Sequence, residues 1–269
     1  MLKNRLIPII LTKKSLVVQS NRFKTYRPIG DIKTAIEFYV NWDVDEIIII
    51  DIDATKENRL LNKEILKWAS KECFVPLTVG GGIKNLGDIS SLLRAGADKI
   101  TINSRVLIDL DFIKKASKRF GSQCISVSID CIKTKVGYKV YDYLSRNITE
   151  LSPSEMARRV AAFGAGEILL NSVDRDGSGN GYDIELLKSV SNQVSIPIIA
   201  CGGVGQYSHL SEGILKGGCQ AVAAANIFLH SELSTIAAKS HMLRNKINVR
   251  LSSFVKYDEF EFDDFERPY

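Results

Sequence analysis

Short runs of apolar residues alternate along this chain with segments whose apolar positions recur every three or four residues. The runs at 6–11, 46–51, 75–79, 99–103, 125–130, 167–172, 196–200 and 221–225 are rich in Ile, Val, Leu and Ala, and they predict β-strands. Helical spacing occupies 31–42, 60–72, 86–94, 110–120, 154–163, 184–190, 210–216 and 231–242. Ser152-Pro153 supplies a cap and a first-turn proline, and Gly96 and Gly164 stand where helices should stop. Strands this uniformly apolar, alternating with helices, predict a parallel sheet covered by helices. Residues 132–145 interrupt the order with alternating Lys135, Tyr138, Val140 and Tyr141, which predicts a short hairpin. Beyond Val249 the alternation stops. The acidic stretch 251–269 reads as an appended tail, either disordered or docked through Phe260, Phe262 and Phe265.

That pattern fits both an open doubly wound sheet and a closed barrel. A repeat decides between them. Glu46, Pro76, Gly81-Gly82 and Gly96 return 121 residues later as Glu167, Pro197, Gly202-Gly203 and Gly217. A constant offset of that length marks two fused half-domains. Two (β/α)4 halves close into one (β/α)8 TIM barrel, expected over 1–250 with halves at about 1–121 and 122–250.

Composition narrows the class. With 269 residues and 45% apolar content the chain can bury a large core as one domain. No run approaches the roughly 18 apolar residues that span a bilayer. The N-terminal run lacks the cleavage site of a signal peptide and reads as the first strand. Cys73, Cys124, Cys131, Cys201 and Cys219 are scattered and mostly apolar in setting, as expected of reduced thiols in a cytoplasmic protein. There is no CxxC pair, and His209, His230 and His241 lack ligand spacing, so neither a metal nor a cofactor is expected. The net charge of +5 is gathered partly in a loop-like segment holding Lys13, Lys14, Arg22, Lys24 and Arg27. Without a basic helix or interleaved stacking aromatics, this favours a phosphorylated small molecule over nucleic acid. A merely solvated basic loop fits the charge pattern equally well.

In such a barrel the chemistry lies at the C-terminal ends of the strands. The residues there are Leu11, Asp51, Gly81, Gly82, Asn103, Ser104, Asp130, Asp176, Gly177, Gly202, Gly203, Ala225 and Asn226. Val79-Gly80-Gly81-Gly82-Ile83 and Ala200-Cys201-Gly202-Gly203-Val204 each follow a strand and precede a helix, where open backbone N–H groups can meet a phosphate. Two such clusters in a repeat predict a ligand with a phosphate at each end. Asp130 is the candidate general acid–base, although an aspartate there could also cap its loop. Asp51 is a further strand-end carboxylate, and Asp176-Gly177 also reads as an ordinary turn.

At these motifs the chain resembles one family, the cyclase subunit of imidazole glycerol phosphate synthase from histidine biosynthesis. The resemblance runs from Met1 to about Arg250. It rests on Arg5-Leu6-Ile7-Pro8, Asp51-Ile52-Asp53-Ala54, Val79-Gly80-Gly81-Gly82-Ile83, Gly96-Ala97-Asp98-Lys99, Gly164-Ala165-Gly166-Glu167, Asp174-Arg175-Asp176-Gly177 and Asn248-Val249-Arg250. It implies a duplicated barrel bound to a separate glutaminase as a heterodimer. Ammonia from the glutaminase would cross the barrel to a bis-phosphorylated ribotide at the mouth. The resemblance assigns Arg5, Glu46, Lys99 and Glu167 to an ammonia gate and Asp98 to the glutaminase interface. It also implies two catalytic aspartates. Asp130 matches one, while Leu11 stands at the other, Gln19 replaces a phosphate-reaching lysine and Asn171 a threonine. Leu11 can neither give nor take a proton. The residues therefore favour a diverged relative that passes ammonia to another reaction, as in chains accompanying a sugar amidotransferase of surface polysaccharide synthesis. The other readings are a working cyclase, a non-catalytic activator of the glutaminase and, last, the related isomerase.

Overall fold

The computed structural model describes residues 3–229, 233–263, 266 and 268. Twelve strands form one sheet system: β1 (Arg5–Lys13), β2 (Leu16–Asn21), β3 (Thr25–Asp31), β4 (Ile47–Asp51), β5 (Leu77–Gly80), β6 (Lys99–Ile102), β7 (Ile125–Thr134), β8 (Gly137–Asp142), β9 (Asn147–Ile148), β10 (Glu167–Ser172), β11 (Ile198–Cys201) and β12 (Ala221–Ala224). Eight of them, β1, β4, β5, β6, β7, β10, β11 and β12, pair in parallel, and β10 against β7 closes the ring. The fold is the (β/α)8 barrel built from duplicated halves.

Both faces of these strands are buried because alternate side chains point to different cores. Outward residues such as Leu6, Ile10, Ile47, Ile49, Val79 and Ile100 pack under the helices. Inward residues Ile7, Ile9, Ile48, Leu169, Ile199, Ala221 and Ala223 form a separate inner cluster. The outer layer comprises α1 (Ile32–Asn41), α2 (Lys63–Glu72), α3 (Leu86–Arg94), α4 (Ser104–Ile108), α5 (Asp111–Phe120), α6 (Pro153–Ala162), α7 (Ile184–Ser191), α8 (Tyr207–Leu215) and α9 (Ser234–Arg244). Ser152 caps α6, accepting from the Glu155 N–H at 3.2 Å. The expected start of α9 at 231 lies outside the described residues, as does Phe265. None of the described helices is long and apolar enough to cross a membrane.

Two strand extensions shape the mouth. The segment 13–27, expected as a loop, is instead largely the β2–β3 hairpin, antiparallel to the end of β1. Its signal is faint because β3 is almost wholly exposed and carries Pro28 and Gly30, so no apolar alternation appears. The expected hairpin after the fifth barrel strand is present as β7–β8, with β9 added. The short helix α4 has no counterpart in the periodicity.

The tail packs on the barrel rather than leaving it. Phe262 meets Tyr207 and His241 edge-on, with centroids 6.0 and 5.5 Å away. The buried Tyr257 accepts at its backbone oxygen from Ser240 and reaches Asp43 through its hydroxyl. Lys239, fully buried, pairs with Asp43 at 3.0 Å and Asp45 at 2.8 Å, and Arg250 joins both.

Candidate active site

A cavity of about 450 Å³ opens at the C-terminal ends of the strands, and every strand-end residue singled out from the sequence lines it. Its floor is apolar, built from Ile9, Leu11, Ile50 and Leu169. Asp130 rises through that floor and is nearly inaccessible, at 6% exposure. Asn103 donates to one of its oxygens at 2.8 Å and Asn171 to the other at 3.3 Å. Burial pushes the Asp130 carboxyl up to about 7, against those two stabilising amides. A carboxyl that ionises near neutrality can exchange a proton with a substrate. Leu11, paired in register with Ile50, offers no second group.

The other two carboxylates are tied to loop structure. Asp51 accepts from the Asp53 and Ala54 N–H groups, both at 3.1 Å, and is clamped by the Arg59 guanidinium. Asp176 accepts from the Ser20 hydroxyl at 2.6 Å and the Phe23 N–H at 3.2 Å, fastening the β2–β3 hairpin over the mouth. Burial raises its carboxyl as well. Asn226 adds a bond to the Ser20 carbonyl at 3.1 Å. Asp176→Ala is expected to loosen this hairpin, with accelerated proteolytic cleavage between β2 and β3 and an unchanged far-UV spectrum. Cleavage at the parent rate would show that the hairpin is held elsewhere.

The glycine clusters answer first to their own loops. Gly82 has φ +76°, and a Cβ there would lie 1.7 Å from the Arg59 carbonyl oxygen; its N–H donates to Thr55 at 3.1 Å. Gly203, at φ +105°, would place a Cβ 2.2 Å from the Gly181 oxygen. Only glycine fits either position. Aromatic residues that the motifs did not signal roof the cavity. Phe23 meets Tyr143 edge-on at 5.8 Å, and Lys56 lies 4.4 Å above the Tyr143 ring. These contacts join two hairpins distant in sequence, so no local spacing announces them. Arg59 reaches back over eight residues to Asp51 within one loop, a contact that no helical or strand periodicity marks.

At the opposite end, four charges meet in a closed circuit. Arg5 donates to Glu46 at 2.6 Å and to Glu167 at 2.8 Å, and Lys99 donates to the same two carboxylates at 2.9 and 3.1 Å. Thr78 also donates to Glu46. Burial alone would lower the Arg5 guanidinium, but Glu167 and Glu46 outweigh it and raise it. Asp98 sits exposed beside the ring and accepts from the Leu77 N–H at 2.8 Å.

A family model described as histidine biosynthesis protein matches residues 5–234. The chain belongs to that family. It is 61% identical over 269 residues to a Vibrio vulnificus (strain YJ016) protein named "Putative imidazole glycerol phosphate synthase subunit hisF2", with 100% of this chain and 99% of the relative covered. A Campylobacter jejuni (serotype O:2) protein of the same name is 46% identical over 251 residues, which is 93% of this chain and 100% of the relative. Within this family, the cyclase type is therefore the one its relatives' names carry.

Proposed function

We propose that this chain is the ammonia-accepting synthase subunit of a glutamine amidotransferase complex. The carrying observation is the circuit of Arg5, Glu46, Lys99 and Glu167, which lies inside the barrel at the end opposite the mouth that holds Asp130. Two acids and two bases neutralise one another, so the end is closed to ions without a net charge that would bind them. Asp98, exposed beside that end, is the group available to a glutaminase docked there. The pairing of subunits fits the word "subunit" in the relatives' name.

At the mouth, the proton inventory supports a diverged reaction over the family's cyclisation. Asp51 and Asp176 are spent on loop structure, Leu11 is inert, and Asp130 alone is free to move a proton. Losing one member of an acid–base pair commonly costs about a hundredfold or more in rate. The favoured role is delivery of ammonia for sugar amidination in surface polysaccharide synthesis, with a sugar amidotransferase as the further partner. A working histidine-pathway cyclase is the second reading, supported by the relatives' printed name. Complementation decides between the two. A histidine auxotroph lacking its cyclase is expected not to grow on this chain, although the chain forms a soluble complex with its glutaminase. Growth would overturn the diverged role, and failure to pair with any glutaminase would overturn the subunit role.

A further inference from the structure

The two ends of the mouth differ in charge. The paired glycine clusters, taken alone, call for an anion at each end of the ligand. Among the described residues, Lys84 and Arg105 are the only lysine or arginine side chains that line the cavity, and both belong to the first half. Lys84 follows Gly82 by two residues, and Arg105 follows Asn103 by two. Lys84 donates to the Asn58 side-chain oxygen, which is neutral, so its charge is not cancelled there. Arg105 meets Asp109 at 2.8 Å, in a partly exposed pair of the kind that holds weakly. Asp51, the acid on this side, already has the Arg59 guanidinium as its counter-ion. Ser104 adds a hydroxyl to the same end.

The second-half end has no lining cation and is already covered by protein. Asp176 lines it, and its carboxylate accepts from the Ser20 hydroxyl at 2.6 Å and the Phe23 N–H at 3.2 Å. The Arg22 N–H donates to the Asp176 carbonyl at 3.0 Å. Gly177, at φ +66°, lies against the same turn, and a Cβ there would stand 2.2 Å from the Ser20 carbonyl oxygen. Asn226 spends its amide on that oxygen at 3.1 Å. Where β6 runs into Asn103-Ser104, β12 runs into Ala225-Asn226, which brings no hydroxyl. A phosphate entering here would meet a carboxylate and a carbonyl oxygen, and no positive partner to offset its desolvation.

We propose that the mouth takes a ligand with a single phosphate, held at the first-half end by Lys84, Arg105 and Ser104, while the β2–β3 hairpin and Asp176 close the second-half end to anions. Arg105 grips the phosphate through its guanidinium fork, and Lys84 acts as a point charge. The rest of the ligand then lies over the apolar floor of Ile9, Leu11, Ile50 and Leu169, toward Asp130. This deepens the ammonia-accepting reading, on which it rests, by narrowing the ligand of the mouth to a phosphate monoester. A bis-phosphate has no place for its second group.

The full-length chain, labelled with ¹⁵N at glycine, tests this by NMR, with inorganic phosphate compared with sodium chloride at equal ionic strength. The Gly81 and Gly82 amides are expected to shift saturably with phosphate and not with chloride. Gly202 and Gly203 are expected to respond to neither. Lys84→Gln combined with Arg105→Gln is expected to raise the phosphate concentration needed by about tenfold. Arg175→Gln changes a second-half cation outside the cavity lining and should leave that concentration within about twofold. In Asp176→Ala, which frees the hairpin and removes the like charge, Gly202 and Gly203 are expected to begin responding. Saturable shifts at both glycine pairs of the parent chain, shifts at neither, or equal weakening by the Arg175 change would overturn the one-phosphate mouth. Silence of the second pair in Asp176→Ala would overturn the hairpin's part in it. The barrel alone gives these signals, so they fail or succeed independently of the glutaminase and complementation results.

Discussion

At pH 8, Asp130→Asn is expected to resist urea better than the parent chain by up to about 4 kcal/mol, and the gain should vanish near pH 4. The ordinary value of this carboxyl is 3.8, and burial raises it to about 7 in the folded chain. Between those values the folded protein holds a proton that the unfolded chain has released. Its contribution to stability is therefore complete below about pH 4 and is lost as pH rises through 7. An amide has no proton to lose, so the variant escapes that decline. Among the described residues, the same change removes the only mouth carboxyl not committed to loop structure, and turnover is expected to fall with it. Urea midpoints across pH 4 to 8 are the measurement. A constant difference over that range would mean that Asp130 ionises in the folded chain as it does in the unfolded one.

Glu46→Ala is expected to cost about 3–5 kcal/mol, because it leaves Arg5 and Lys99 sharing a single buried carboxylate. Glu46 is only 1% exposed and also accepts from Thr78. Glu46→Gln, which preserves volume and one acceptor, should cost less. The surface pair Lys67–Glu64, with side chains 56% and 80% exposed, provides the contrast. Breaking it should change stability by less than about 1 kcal/mol. Urea denaturation of the three variants side by side gives the comparison, and equal losses for Glu46→Ala and Glu64→Ala would refute the special standing of the circuit.

The barrel was legible in the sequence because its strands are buried on both faces and its repeat keeps constant spacing. Boundaries moved by up to four residues, as at β7, which runs on to Thr134 and not to 130. Strand-end positions were legible too, since a parallel barrel brings every such end to one mouth. What escaped was whatever depends on side chains meeting within or between irregular loops. No periodicity marks Arg59, eight residues on in the same loop, as the clamp on Asp51, or Phe23 and Tyr143 from separate hairpins as one roof. Nor could spacing show that Asp51 and Asp176 are spent on loop structure while Asp130 is not.

The charge circuit also breaks the symmetry of the duplicated halves. Glu46 and Glu167 are repeat mates, one acid from each half, yet both bases come from the first half, on β1 and β6. The corresponding strands of the second half, β7 and β12, carry Ser126 and Ala221 inward. A perfect twofold copy would have set four cations against two acids and made a plug that attracts anions. The circuit as it stands sets two cations against two acids, and that balance exists only because the two halves differ at these positions.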